Sequence, residues 1–184
     1  MFGGWSINRN CYDAIRCILP EGSTILEFGS GAGSFELAKN YKVFSIENDK
    51  EYLNKYLNVN YIHAPIKDIK PVSFCLQHTR WYDKSVIKKK LVEIKYDLLL
   101  IDGPGPSKKV GELSQGRTPI YKYRDLINWE KPVILDDTHR ALEWLITNRL
   151  SSFAVKKVLT FPNEGGKTFS VIADDAILLS LMGK

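Results

Sequence analysis

The fold is decided by the stretch Thr24-Ile25-Leu26-Glu27-Phe28-Gly29-Ser30-Gly31-Ala32-Gly33-Ser34-Phe35-Glu36-Leu37-Ala38. A short apolar run carries an acid near its end, and three glycines at alternate positions lead into a helical pattern. Glycine suits positions where the backbone turns sharply or approaches a ligand closely. A strand that enters such a turn and leaves it as a helix presents N–H groups above the edge of a sheet. The stretch therefore predicts a strand, a turn and a helix that together cradle a cofactor.

The spacing of the glycines separates two kinds of nucleotide cofactor. A dinucleotide-binding turn requires G-x-G-x-x-G, but the last position counted from Gly29 is Ser34, and the third glycine comes early, at Gly33. This spacing disfavours a nicotinamide-dependent oxidoreductase. The pattern Glu-x-Gly-x-Gly-x-Gly, which starts at Glu27, resembles motif I of the class I methyltransferases that use S-adenosylmethionine (SAM). The resemblance implies that SAM binds here, with its ammonium group near the Glu27 carboxylate.

The same resemblance assigns further residues to the cofactor. A second strand is predicted over Lys42–Glu47, and Glu47 follows Glu27 by one β-α-β unit. Glu47 resembles the motif II acid that accepts the ribose hydroxyls; the alternative is a solvated strand-end glutamate. A third strand is predicted over residues 59–66, and its exit implies adenine contacts from Ile66 and Asp68. The residues assigned to SAM are Glu27, Gly29, Ser30, Gly31, Gly33, Ser34, Glu47, Asn48, Ile66 and Asp68.

The remaining periodicities complete an α/β pattern. Helices are predicted over residues 8–19, 48–57 and 121–129, within 77–95, and from Thr138 onward. Further strands are predicted over residues 96–102, 132–137, 154–161 and 168–173, the last two as a hairpin. Because a hairpin reverses the chain, the last strand is antiparallel. We expect one domain over residues 1–184, with a doubly wound, seven-stranded, mostly parallel sheet of the Rossmann-like methyltransferase type.

Composition limits the functional classes. The 184 residues are 44% hydrophobic and 26% charged, which is typical of a soluble globular domain. No apolar run approaches the roughly 20 residues of a membrane span, and the N-terminal residues lack a signal-peptide pattern. Three cysteines without C-x-x-C spacing favour reduced, buried thiols and a cytoplasmic location. The net charge of +5 suits an anionic substrate, such as a phosphorylated sugar or RNA, without choosing between them.

Several conspicuous residues have a structural interpretation. His63 is expected to pack inside the third strand, and Trp81 with Tyr82 is expected to belong to the core rather than to stack on adenine. Lys88–Lys90 is expected to be a solvated helix face. The polar stretch of residues 107–119 is expected to be a substrate loop that becomes ordered with ligand.

The residues after the fourth strand bear on the methyl acceptor. Asp102-Gly103-Pro104-Gly105 follows a near-continuous apolar run, where the resemblance places the transferred methyl group. Methyltransferases of exocyclic base amines usually carry Asp/Asn-Pro-Pro-aromatic there, which counts against a nucleobase. RNA ribose enzymes of the Lys-Asp-Lys-Glu type need a lysine where this sequence has Asp136-Asp137. An acceptor hydroxyl must lose a proton, and His139 is the candidate general base. Asp102 is expected to be a catalytic or substrate-positioning residue.

Three of these acids also suggest a metal site. Asp102, Asp136 and Asp137 hold the places of the metal-binding acids in catechol-O-methyltransferase-like enzymes, and that resemblance implies Mg²⁺. The sequence departs from the pattern at Gly105, where the family commonly has lysine, and at Asp137, where it usually has asparagine. The alternative is that Asp137 caps the next helix and Asp136 hydrogen-bonds at the sheet edge.

The most specific functional hypothesis is a SAM-dependent O-methyltransferase of a small molecule, such as a sugar or glycan precursor. It rests on a loose likeness of Ile101–Pro104, Arg117 and residues 136–140 to methyltransferases of polysaccharide pathways. Arg117 and Arg140 would bind an anionic group of the acceptor. The catalytic candidates are thus Asp102, Arg117, His139 and Arg140. The alternatives are an RNA methyltransferase, an RNA-binding relative and a non-catalytic cofactor-binding module.

Overall fold

A computed structural model describes residues 7–105 and 115–183. The strands are β1 (Thr24–Phe28), β2 (Lys42–Glu47), β3 (Val59–His63), β4 (Ile66–Asp68), β5 (Arg80–Tyr82), β6 (Leu98–Ile101), β7 (Val133–Leu135), β8 (Lys157–Pro162) and β9 (Thr168–Ala173). The α-helices are α1 (Arg9–Ile18), α2 (Ala32–Leu37), α3 (Lys84–Glu93), α4 (Ala141–Ala154) and α5 (Asp175–Met182). Two 3₁₀-helices cover Thr118–Leu126 and Glu164–Gly166.

The strand order confirms the predicted fold class. Seven strands form one sheet in the order β3-β2-β1-β6-β7-β9-β8. Every neighbouring pair is parallel except the two that involve β9, which is antiparallel to both β7 and β8. Along the sheet, strands β1, β2 and β3 follow one another in one direction, and β6 and β7 follow in the opposite direction, so the order reverses between β1 and β6. In sheets of this type the crevice for a ligand lies at the carboxyl ends of the strands, where the order reverses.

The strand β6 shows how the sheet is buried on both faces. Leu98 and Leu100 pack into the cluster that contains α1 and α5, whereas Leu99 and Ile101 pack against α3 and α4 on the opposite face. All four leave at most 1% of their surface exposed. Successive side chains of a strand point to opposite faces, so a strand covered on both sides must be apolar throughout.

The predictions over residues 48–66 are wrong in two respects. Residues 48–57 form turns rather than a helix, because Asn54 has a φ of 59° and Asn58 a φ of 71°, a left-handed conformation that interrupts helical winding. The predicted third strand ends at His63, and β4 pairs instead with β5 in a separate two-stranded antiparallel sheet. The intervening Pro65 has no N–H to continue the ladder.

The ends of several other elements differ from their predictions. The predicted helix over 121–129 is a 3₁₀-helix that starts earlier, at Thr118, and α5 is not predicted at all. His63 is exposed rather than packed, because β3 is an edge strand. The core assignment of Trp81 and Tyr82 is confirmed, since neither side chain has any exposed surface. Trp81 stacks between Phe28 and Tyr123, with ring centroids 5.5 Å and 5.1 Å away.

The remaining structural expectations concern the surface and the cysteines. Lys88 and Lys89 are exposed on α3, as expected, whereas Lys90 is only partly exposed. All three cysteines are free thiols; Cys11 and Cys75 are buried, and Cys17 is partly exposed. Among the described residues, no helix has the length and apolar character needed to cross a bilayer. Most of the predicted substrate loop, residues 107–114, lies outside the described residues.

Candidate active site

A cleft of about 1340 Å³ opens at the carboxyl ends of the parallel strands. Sites for one small ligand usually measure about 300–1,000 Å³, so this cleft has room for a cofactor and a second molecule. Its walls on the side of β1 to β3 include Gly29, Ser30, Glu47, Asn48, Asp49, Tyr52, His63 and Ile66. On the side of β6 and β7 they include Tyr82, Asp102, Gly103, Arg117, Asp136, Asp137, Arg140 and Lys167.

Glu27 lies behind the cleft surface, at the end of β1. Its side chain is 2% exposed, and its Oε1 has no hydrogen-bond partner among the described residues. Burial raises the pKa of Glu27 from its usual 4.5 to about 7; the charge of Glu47 raises it further, while hydrogen bonds from Ser34 and Ser45 lower it. A buried carboxylate with an unpartnered oxygen can accept a hydrogen bond from a cationic group and would be stabilised by it.

Glu47 holds the glycine turn in place. Its Oε2 accepts the Ser30 N–H at 2.7 Å, and its Oε1 accepts the N–H groups of Asn48 and Asp49, both at 2.6 Å. Burial raises the pKa of Glu47, and these three backbone donors lower it in part. Glu47 is 6% exposed, so the alternative of a solvated strand-end residue is wrong. Glu47 lines the cleft together with Gly29, because β1 and β2 pair in the sheet and end at the same edge.

The N–H groups of the turn are mostly paired within the protein, contrary to the expectation of free donors. The Gly29 N–H donates to the Ile46 carbonyl at 2.8 Å, and the Gly31 N–H donates to Ser34 Oγ at 3.0 Å. Gly29 has a φ of 90°, and a Cβ there would lie 3.0 Å from Gly103 Cα. Glycine is therefore required at position 29 by backbone conformation and by the contact between two strand ends.

Five of the ten residues assigned to SAM do not line the cleft wall: Glu27, Gly31, Gly33, Ser34 and Asp68. Gly33 is buried against Ile7, and a Cβ at position 33 would lie 2.6 Å from Ile7 Cγ1. Ser34 is 2% exposed, and its Oγ accepts a hydrogen bond from the Gly31 N–H within the turn. The side chain of Asp68 is 93% exposed and pairs with Arg80 at 3.5 Å. Asp68 is displaced because β4 pairs with β5 instead of continuing β3. Ile66 and Asn48 do line the cleft.

Three aspartates meet at the ends of β6 and β7. Asp102, Asp136 and Asp137 each offer a carboxylate oxygen within 4.8 Å of the others. Burial raises the pKa of Asp102 well above its usual value, and the neighbouring charge of Asp136 raises it further. Burial likewise raises the pKa of Asp136. Burial acts in the same direction on Asp137, but nearby cations outweigh it and lower the pKa of that group.

The cations around these acids are Arg117, Arg140 and Lys167. Nη2 of Arg117 lies 2.9 Å from Asp102 Oδ1 and 3.0 Å from Asp137 Oδ2, and Nη1 donates to the Asp136 carbonyl oxygen. Arg140 reaches Asp137 Oδ2 at 3.0 Å from the rim of the cleft, and Lys167 lies 3.8 Å from Asp137 Oδ1. The Arg117 guanidinium therefore pairs with the acids, whereas the sequence predicted that it would bind an anionic group of the acceptor.

His139 does not reach the cleft. It is exposed, and it precedes α4, for which Arg140 is the N-cap residue. The chain turns at Asp137, whose φ is 57°, and the Thr138 N–H donates to the Thr168 carbonyl at 2.8 Å. These contacts leave His139 on the outside. The helix predicted from Thr138 onward begins later, because α4 starts at Ala141.

Sequence reasoning missed Lys167, Arg80 and Tyr52 as cleft residues. Lys167 immediately precedes β9, and it approaches Asp137 only because β9 pairs with β7. Arg80 comes from β5, which was not predicted. The sequence pattern does not indicate that a basic residue in a hairpin turn, such as Lys167, will line a cleft.

Comparisons with known proteins identify the fold. No protein-family model matches the sequence, and curated proteins give no match either. A SAM-dependent methyltransferase from Aquifex aeolicus is 16% identical, with a TM-score of 0.52, over 90% of this chain and 89% of that one. A Plasmodium falciparum protein assigned to the ribosomal RNA methyltransferases is 20% identical, with a TM-score of 0.51, over 90% of this chain and 96% of that one.

The chain has the class I methyltransferase fold. A third similar structure, the methyltransferase MycE of mycinamycin biosynthesis in complex with Mg, SAH and mycinamycin VI, is 11% identical, with a TM-score of 0.52, over 89% of this chain and 45% of that one. Two of these neighbours are thus described with different molecules, ribosomal RNA and mycinamycin VI, and a shared fold does not select an acceptor.

Proposed function

We propose that this protein binds SAM and transfers its methyl group to a hydroxyl of a small molecule, such as a sugar or glycan precursor. The observation that carries the cofactor assignment is the buried carboxyl of Glu27, with its unpartnered Oε1, directly behind a glycine turn that Glu47 holds. Methyltransferases of the same fold, among them MycE with bound SAH, support the assignment.

In this proposal the residues of β1 and β2 bind the cofactor. Glu27 accepts a hydrogen bond from the ammonium group of SAM, and Glu47 accepts one from the ribose with lone pairs that its three backbone donors leave available. Ile66 and Asn48 line the nucleoside end of the cleft. SAM supplies a methyl group on a sulfonium sulfur, which makes the methyl carbon electrophilic.

The residues at the ends of β6 and β7 would handle the acceptor. The acceptor oxygen forms a bond to the methyl carbon as the sulfur–carbon bond breaks, and its proton passes to the carboxylate of Asp102. Burial raises the pKa of Asp102, which makes its carboxylate a stronger base than one in water. Arg140 and Lys167 line the same end of the cleft and would bind an anionic group on the acceptor.

Binding of SAH to the purified protein tests the cofactor assignment by calorimetry. We expect binding of one SAH per chain, weakened about tenfold or more by Glu27→Gln, since hydrogen bonds to charged groups contribute about 1.5–3 kcal/mol. Glu130→Gln is the matched control, because Glu130 is exposed and does not line the cleft. An absence of heat at millimolar SAH would refute the assignment.

RNA is the second candidate acceptor. It is favoured by the net charge of +5 and by the similarity to the Plasmodium falciparum protein. Counterion release makes RNA affinity fall steeply with salt, whereas a small acceptor with a single anionic group should depend on salt much less. Transfer of radiolabel from methyl-labelled SAM into an RNA fraction, or into a glycan fraction, would decide between the two acceptors.

A further inference from the structure

The three strand-end aspartates are spaced as if around a cation. Their nearest carboxylate oxygens lie within 4.8 Å of one another. Ca²⁺ binds oxygens at about 2.3–2.6 Å, so two oxygens on opposite sides of one ion are about 4.6–5.2 Å apart. In addition, Asp136 Oδ1 and Asp137 Oδ1 are buried and have no hydrogen-bond partner among the described residues.

A cation is already present among these acids, and it belongs to the chain. The guanidinium of Arg117 contacts the carboxylates of Asp102 and Asp137 at 2.9 Å and 3.0 Å. Its side chain is only 4% exposed. A divalent ion bound to these carboxylates would lie beside a like charge that water barely screens. The expected Mg²⁺ therefore does not fit this arrangement.

Contacts on the far side of Arg117 hold it in that position. Gly116 packs against the ring of His78 so closely that a Cβ would overlap it. The hydroxyl of Thr118 lies 2.6 Å from His78 Nδ1, and Gln115 forms a β-bridge with Arg80. Both neighbours of Arg117 are thus fixed by β5 and the residues before it. The guanidinium is directed at the aspartates by the fold as well as by their charge.

We propose that the guanidinium of Arg117 replaces a divalent cation among Asp102, Asp136 and Asp137, so that this site functions without a metal ion and accepts one only when Arg117 is removed. Arg117 is a positioning residue, whose contact with the Asp102 carboxyl orients that group at the acceptor end of the cleft. This catalytic consequence rests on the proposed methyl transfer, whereas the exclusion of metal does not.

Binding of Mn²⁺, followed by electron paramagnetic resonance, tests the exclusion without any enzyme assay. We expect the wild-type protein to bind no Mn²⁺ at its aspartates and its melting temperature to stay the same in Ca²⁺ and in EDTA. Arg117→Ala is expected to bind one Mn²⁺ per chain and to melt at a higher temperature in Ca²⁺, because a ligand that binds only the folded state stabilises it. Arg140→Ala is the matched control: it also removes a cation from Asp137, yet it should gain no Mn²⁺ because Arg117 remains.

Removing a buried cation that pairs with two carboxylates can prevent folding. The series therefore also includes Arg117→Gln and Arg117→Lys, which keep a longer side chain than alanine. The neutral glutamine variant should gain Mn²⁺ binding like alanine, and the lysine variant, which keeps a positive charge, should not. Stoichiometric Mn²⁺ binding by the wild-type protein would overturn the proposal. Folded Arg117→Ala or Arg117→Gln protein that fails to bind Mn²⁺ would overturn it as well, since the aspartates would then form no cation site.

Discussion

The buried carboxyl of Glu27 offers a quantitative test through the variant Glu27→Gln. Glutamine has nearly the same shape as the protonated glutamate but cannot ionise. Burial raises the pKa of Glu27 in the folded protein from 4.5 to about 7, and in the unfolded chain the carboxyl returns to its usual value. The folded state therefore binds the proton more tightly, and the wild-type protein loses stability as the pH rises from 4.5 through 7.

The size of this loss follows from the difference between the two pKa values. Each unit of pKa corresponds to about 1.4 kcal/mol, so at pH 8 the ionised Glu27 costs the folded state about 3 kcal/mol. At pH 5 the cost is less than about 1 kcal/mol, because the carboxyl is then protonated in the folded state and partly protonated in the unfolded one. Relative to the wild type, Glu27→Gln should gain about 2–3 kcal/mol of stability between pH 5 and pH 8.

Urea unfolding of both proteins at pH 5, 6, 7 and 8 measures the difference directly. Subtracting the two free energies of unfolding at each pH removes the contributions of all other titrating groups that the substitution leaves unchanged. Glu130→Gln, at an exposed position, should show a difference that varies little with pH. If the stability difference between Glu27→Gln and wild type is the same at pH 5 and pH 8, the carboxyl is not held in a buried, weakly solvated environment and the account of this site is wrong.

Two further substitutions test the packing around the site. Gly33→Ala should destabilise the protein by about 1–3 kcal/mol in thermal or urea unfolding, because the new Cβ contacts Ile7. When Gly33→Ala and Ile7→Ala are combined, the loss of stability should be smaller than the sum of the two single losses. Strict additivity would argue against the contact. Tyr82→Phe should leave the free energy of unfolding unchanged or raise it by up to about 1–3 kcal/mol, because the Tyr82 hydroxyl is buried with no partner among the described residues. A clear loss of stability in Tyr82→Phe would show that this hydroxyl has a partner after all.

The sequence allowed much of the sheet to be predicted correctly, for identifiable physical reasons. Strands β2 and β9 have the predicted bounds, β1 opens the stretch 24–38 as predicted, and β6 lies within its predicted run. These segments are short and mostly apolar, as strands buried on both faces are. The segments that failed, residues 48–57 and β4, are partly exposed. Their conformation depends on two asparagines with positive φ and on pairing with a distant strand.

The site divides in the same way. The residues adjoining the ends of β1, β2, β6 and β7 could be located because the carboxyl ends of parallel strands all lie at one edge of a sheet. The side chains that contact these residues could not be predicted in this way. The contact of Arg117 with the aspartates depends on how Gly116 and Thr118 pack against His78, and the approach of Lys167 to Asp137 depends on the pairing of β9 with β7.

Local pattern therefore determined the order of elements, the doubly wound class and the place of the cleft, since hydrophobic periodicity and turn chemistry act over a few residues. Only the tertiary structure decided the electrostatics inside the cleft. The raised pKa of Glu27 and the contacts of the Arg117 guanidinium with Asp102 and Asp137 both arise from burial and from charges brought together across long stretches of chain. Such interactions depend on distance and solvent exclusion, which no spacing of residues along the chain records.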